Sequence, residues 1–131
     1  MTDLGTFDLT KGCSPKGKSG PVCLAYKLGF YAAFLAFVDA RAATERPIVF
    51  GGDINTAHRS IDFALPGANA HRLGPLPEER IWLGRWGAHD WVDTFRYRHS
   101  VLRDTDAWRS LTGSDILSRI CNVFLPAAMR S

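Results

Sequence analysis

Asp53 and Asn55 stand one residue apart in "FGGDINTAH", Phe50 to His58, just past a short apolar run. A carboxylate can accept a proton from an attacking water or help hold a hard cation. An amide can hydrogen-bond to water or a phosphate oxygen without adding charge. In extended backbone, residues two apart point to the same side, so both polar groups would address one small site. Gly51 and Gly52 would let a ligand approach the backbone closely. That combination suits attack of water on a phosphodiester. Asp and Asn also cap turns readily, so from "GDIN" alone a plain turn is the favoured reading and catalysis the weaker one.

The elements that must position this pair can be read on either side of it. "PIVF", Pro47 to Phe50, is a run of apolar residues bounded by Pro and Gly, and reads as a fully buried strand ending at Gly51-Gly52. Before it, Leu24, Leu28, Tyr31, Leu35 and Val38 step by four, three, four and three, one stripe of an amphipathic helix over "LAYKLGFYAAFLAFVDARAA". Phe30, Phe34 and Phe37 widen that stripe, while Lys27, Asp39 and Arg41 lie mostly off it. Helix, turn and buried strand are the grammar of an α/β layered domain, in which functional groups gather where strands end at their carboxyl edge. "LTKGCSPKGKSGP", residues 9–21, is rich in Gly, Ser, Pro and Lys and reads as a basic loop. Residues 54–76 are loop-like. "PEERIWLGRW" then reads as a helix, with Pro77 at its first position, Glu78 and Glu79 at the positive end of its dipole and Gly87 as terminator. "HDWVDTFRYRH" is a short mixed element, and in the weakly patterned segment 100–131 only "RICNVFL", Arg119 to Leu125, reads as a strand.

At 131 residues and 46% hydrophobic, the chain suffices for one domain with a modest core. Its formal charge of +3 is compatible with a polyanionic partner without demanding one. Cys13, Cys23 and Cys121 form no C-x-x-C pair, which implies reduced thiols and a cytoplasmic protein. His58, His71, His89 and His99 lack ligand spacing, so a structural zinc site is not expected. The start has no signal-peptide pattern, and Lys27 and Asp39 interrupt the longest apolar segment, which argues against a membrane span.

Over Tyr26 to His99 the sequence resembles the bacterial exonuclease III and apurinic/apyrimidinic endonuclease family, within the endonuclease/exonuclease/phosphatase superfamily. The residues that carry the resemblance stand in order: Gly52-Asp53-Ile54-Asn55, Ala57-His58, Ile61-Asp62, Pro77 to Trp82 and Val92 to Arg96. It implies an α/β fold, a partial layered α/β sandwich of the endonuclease/exonuclease/phosphatase type, roughly the second half of the full fold. Residues 1–131 would then be a single partial domain, truncated at both ends. It also implies a Mg²⁺-dependent nuclease, with Mn²⁺ as a substitute, that cuts duplex DNA beside abasic sites and removes nucleotides from 3′ ends. Asp53 would activate the water and serve as metal ligand, and Asn55 would position the phosphate or the nucleophile. Arg59 and Arg72 would approach the DNA backbone, and Asp93 and Arg96 would pair as part of the site wall.

The resemblance also marks departures. The family's early Asn and its metal-holding Glu have no counterpart here, Cys121 stands where a catalytic aspartate is expected, and no terminal Asp-His pair follows. One carboxylate and one amide supply only part of what phosphodiester hydrolysis needs. The expectation is therefore an exonuclease III-like chain that is inactive or weakly active by itself. The alternatives are a non-catalytic DNA-binding or interaction remnant of the same fold and a phosphatase for small phosphorylated molecules. One sheet of a two-sheet sandwich leaves an apolar face wet, so the chain would either repack around its long helix or self-associate.

Overall fold

Five strands form one sheet: β1 (Thr2–Asp3), β2 (Asp8–Cys13), β3 (Ile48–Asp53), β4 (Trp91–Asp93) and β5 (Cys121–Pro126). The computed structural model describes residues 2–15, 20–44, 46–62, 76–101 and 121–129. Across the sheet the order is β1–β2–β3–β5–β4, with β2 and β3 parallel and the other neighbours antiparallel. Helix α1 (Pro21–Ala42) makes the crossover from β2 to β3, as a parallel pair requires. Helices α2 (Pro77–Ala88) and α3 (Thr94–Arg98) frame β4.

The core lies on one face of the sheet. Ile48 and Phe50 point the same way by the two-residue period of a strand and are almost fully buried. From β5, Phe124 stacks on Phe50 with ring centroids 5.0 Å apart. Trp86 of α2 meets Phe50 edge-on at 5.5 Å and Tyr31 of α1 at the same distance. Tyr31, Leu35 and Val38 of the helical stripe are buried, and Leu28, Phe30 and Phe34 pack at their margin. Such aromatic pairs add about 0.5–1.5 kcal/mol each beyond area burial. By length and composition α1 could cross a membrane. Here its inner stripe packs on the sheet.

Among the described residues no helix packs on the other face of the sheet. Leu9 of β2 is 37% exposed there and Val123 of β5 47% exposed.

Three expectations need correction. Residues 9–21 are not one loop, because Leu9 to Cys13 belong to β2 and Pro21 is already in α1. Pairing with β3 over six residues overrides the loop-like Lys and Gly of this stretch. Likewise β3 does not stop at Gly51-Gly52 but runs to Asp53, because β2 and β5 continue the ladder on both sides of it. Helix α2 passes through Gly87 to end at Ala88. The strand expected at residues 119–125 is observed as β5, Cys121–Pro126, and it lies between β3 and β4.

Candidate active site at the carboxyl end of β3

The last residue of β3 is Asp53, and the chain turns at once. Asn55 adopts φ 54°, a left-handed conformation that asparagine tolerates better than most residues. Asp53 Oδ1 accepts the Asn55 main-chain N–H at 2.9 Å, so the acid does cap a turn. It also remains half-buried, and among the described residues its Oδ2 accepts no hydrogen bond. The two polar residues are thus brought together, by a tight turn rather than by extended backbone. The Asn55 side chain reaches back to β2, where Nδ2 donates to Ser14 O at 2.7 Å and lies 3.8 Å from Cys13 Sγ. Cys13 is in register with Asp53 across the parallel pair.

Gly52 is what allows the strands to close up here. Its φ is 141°, and a Cβ placed on it would lie 1.8 Å from the Gly12 carbonyl oxygen of β2. Only glycine fits that approach.

A polar network underlies the turn. Ser14 Oγ and the Tyr31 hydroxyl donate to the Ile54 carbonyl, the latter at 2.8 Å. Lys27 Nζ donates to the Asn55 carbonyl and to Thr56 Oγ1, both at 2.8 Å, and meets Glu79 Oε1 at 2.5 Å. Lys27 is 1% exposed. Burial pulls its ammonium below the usual lysine range, opposed by the Glu79 carboxylate. Burial also raises the Tyr31 phenol, which stays protonated as the donor to Ile54.

The rest of the loop is tied down as well. Arg80 Nε donates to the His58 carbonyl at 2.9 Å. The His58 imidazole is held below its ordinary value by burial and by neighbouring Arg59. Asp62, fully buried, accepts the Arg59 main-chain N–H at 2.8 Å and Arg96 Nε at 2.8 Å. Asp93 and Arg96 do meet, but through the Arg96 main-chain N–H, since Asp93 Oδ1 caps α3. The Arg59 side chain is exposed. Arg72 lies outside the described residues.

Sequence reading missed Lys27, Tyr31, Thr56 and Glu79 as partners of the site. A signal existed for one of them. Lys27 sits three residues after Leu24 and four before Tyr31, a charge inside the apolar stripe rather than beside it.

The fit of a metal can be tested on the donors. Among the described residues no three His, Cys, Asp or Glu side chains converge. Mg²⁺ takes six oxygens, usually one or two carboxylates with waters and substrate phosphates. Asp53 supplies one carboxylate, so the described set does not fit a resident Mg²⁺ or Mn²⁺ ion. A pocket of about 460 Å³, lined by Asp39, His89, Trp91 and Pro126 among others, opens elsewhere. The register of β5 puts Pro126 five residues from Cys121, the partner of Asp53, or roughly 17 Å along the strand.

A mixed sheet with helices packed on one face and an acid-amide turn at a strand's carboxyl end define an α/β layered protein. The chain belongs to the endonuclease/exonuclease/phosphatase family, whose sequence model matches residues 4–111. It is 36% identical over 78 residues to an exodeoxyribonuclease of Streptococcus pneumoniae, covering 60% of this chain and 27% of that protein. It is 33% identical over 93 residues to the DNA repair nuclease APEX1 of Danio rerio, covering 69% of this chain and 29% of that one. A Neisseria 3′ phosphatase solved with a product DNA hairpin superimposes with a TM-score of 0.83 at 19% identity, over 95% of this chain and 50% of that one. The relatives bear out the resemblance to the exonuclease III and apurinic/apyrimidinic endonuclease group, and the superposition bears out the fold. The chain spans about half or less of the length of each.

Proposed function

We propose that this chain carries the water-activating part of an exonuclease III-type DNA phosphodiesterase site and is inactive or weakly active by itself. The substrate is duplex DNA with abasic sites or 3′ ends. The observation that carries this reading is the half-buried Asp53 carboxylate beside Asn55 at the carboxyl end of β3, with one oxygen unbonded among the described residues. Asp53 takes the proton of the attacking water. The Asn55 amide orients the phosphate without adding charge, and Arg59 and Arg72 meet the DNA backbone. The reaction requires Mg²⁺ or Mn²⁺. Of the described residues Asp53 would contact such an ion, whose chemistry would be to neutralise charge at the phosphate. Missing members of a cooperating set cost orders of magnitude in rate, which is why weak activity belongs to the proposal. Cytoplasmic location is supported by the free thiols of Cys13 and Cys23. Self-association through the open sheet face is supported by exposed Leu9 and Val123.

A duplex carrying one abasic site, incubated with and without Mg²⁺, tests the reading. The expected result is slow, metal-dependent nicking that Asp53→Ala lowers at least about 100-fold, the usual contribution of a positioned base. That no three candidate ligands converge among the described residues favours a second reading, a non-catalytic DNA-binding or interaction remnant. Salt-sensitive DNA binding without cleavage would establish that one instead. Turnover of small phosphate esters with abasic DNA left intact would point to a phosphatase.

A further inference from the structure

Lys27 is a buried charge to which the chemistry above gives no task. An ammonium has three N–H donors, and here all three are spent: on the Asn55 carbonyl, on Thr56 Oγ1 and on Glu79 Oε1. None is left for a substrate. Glu79 is fixed in turn, because its Oε2 accepts the Leu76 main-chain N–H at 2.7 Å at the start of α2. The network therefore runs from α2 through α1 to one carbonyl, that of the residue whose backbone is left-handed. Stability alone gives a poor reason for it, since a buried ion pair replaced by apolar groups of similar volume is often no less stable. A fixed carbonyl gives a better one.

We propose that Lys27 is a positioning residue for the Asp53–Asn55 site, with Glu79 as the group that holds its ammonium in place. Resting on the nucleolytic reading, the inference is that Lys27 anchors the Asn55 carbonyl and so keeps the turn in which the Asn55 main-chain N–H meets the Asp53 carboxylate and the Asn55 side-chain amide is held against Ser14 O. Tyr31 and Ser14 do the same for the preceding carbonyl of Ile54. With Lys27 absent, the Asn55 peptide unit is free to rotate out of the left-handed region, and the amide leaves its place beside Ser14 O.

The test compares Lys27→Met, Lys27→Arg and the double variant Lys27→Met/Glu79→Gln with the unaltered chain. Urea unfolding reports stability, ¹⁵N–¹H spectra report the main-chain and side-chain amides of Asn55, and abasic-duplex cleavage reports kcat and KM. Lys27→Met leaves Glu79 buried without its cation and is destabilised, and the double variant recovers the lost stability. Despite that recovery, the double variant shows displaced Asn55 resonances and a kcat lower by about 100-fold, as expected for a misplaced reacting group. KM changes little. Lys27→Arg keeps a donor and the charge facing Glu79, and restores part of kcat. A double variant with wild-type Asn55 resonances overturns the proposal, as does one with wild-type kcat. If the unaltered chain cleaves no DNA, as the inactive form of the nucleolytic reading allows, the Asn55 resonances alone decide the role of Lys27, whereas turnover of small phosphate esters with abasic DNA left intact would overturn the nucleolytic reading separately.

Discussion

Asp53 does two jobs at once. Its Oδ1 closes the turn onto the Asn55 N–H while the rest of the carboxylate stays accessible. The turn-capping and catalytic readings of "GDIN" are therefore compatible, because the cap occupies one carboxylate oxygen through the Asn55 main-chain N–H while the Asn55 side-chain amide is held separately by Ser14 O. The loop that follows ends on a second acid of another kind. Asp62 has a fully buried side chain, and its partner Arg96 is 4% exposed. Asp62→Ala strands a guanidinium in the interior and is expected to destabilise the fold by about 3–5 kcal/mol. A urea midpoint within error of the unaltered chain would show that this pair does not hold the loop. Residue identity alone conceals such roles. Asp62 and Lys27 look like solvated charges in the sequence, and only the packing of α1, α2 and α3 around them makes them interior.

Among the elements, β3 shows most plainly how neighbours decide an outcome. Two glycines look like the end of a strand, yet the ladder passes through both, because β2 and β5 supply partners to Gly51, Gly52 and Asp53. Gly52 is required for that geometry. Gly52→Ala forces a methyl into the Gly12 carbonyl and an alanine into a disfavoured φ. We expect a loss of roughly 2 kcal/mol or more, with the hydrogen-exchange protection of Lys11 to Cys13 falling alongside. Unchanged protection in β2 would contradict the close approach. β2 itself was hidden in the sequence for a related reason: Lys11, Gly12 and Cys13 have weak strand preference, and pairing with β3 gives them their conformation.

At the scale of the molecule, the described helices finish the sheet on one side only. Helices α1 and α2 cover Ile48, Phe50 and Phe124, while Leu9 and Val123 face outward on the other side. Exposed apolar area of this kind promotes association. The proposed self-association predicts a sedimentation coefficient that rises with concentration, and Leu9→Lys combined with Val123→Lys should return the chain to monomer. A chain that stays monomeric at every concentration, with the open face intact, would remove that part of the proposal.

Much was settled by local order along the chain. The stripe of α1 follows from 3.6-residue periodicity, the start of α2 from Pro77 and its acids, and the family from motifs read in sequence. These depend on neighbours a few positions away, which a sequence displays directly. What the tertiary structure alone decided is long-range: β2 as a strand, β5 in the middle of the sheet, the carry-through of β3 to Asp53, and the burial of Lys27 against Glu79 fifty-two positions on. Strand pairing and ion pairing depend on groups that only the fold makes adjacent. A lysine's charge or a glycine's freedom therefore acquires its role after the chain has closed around it.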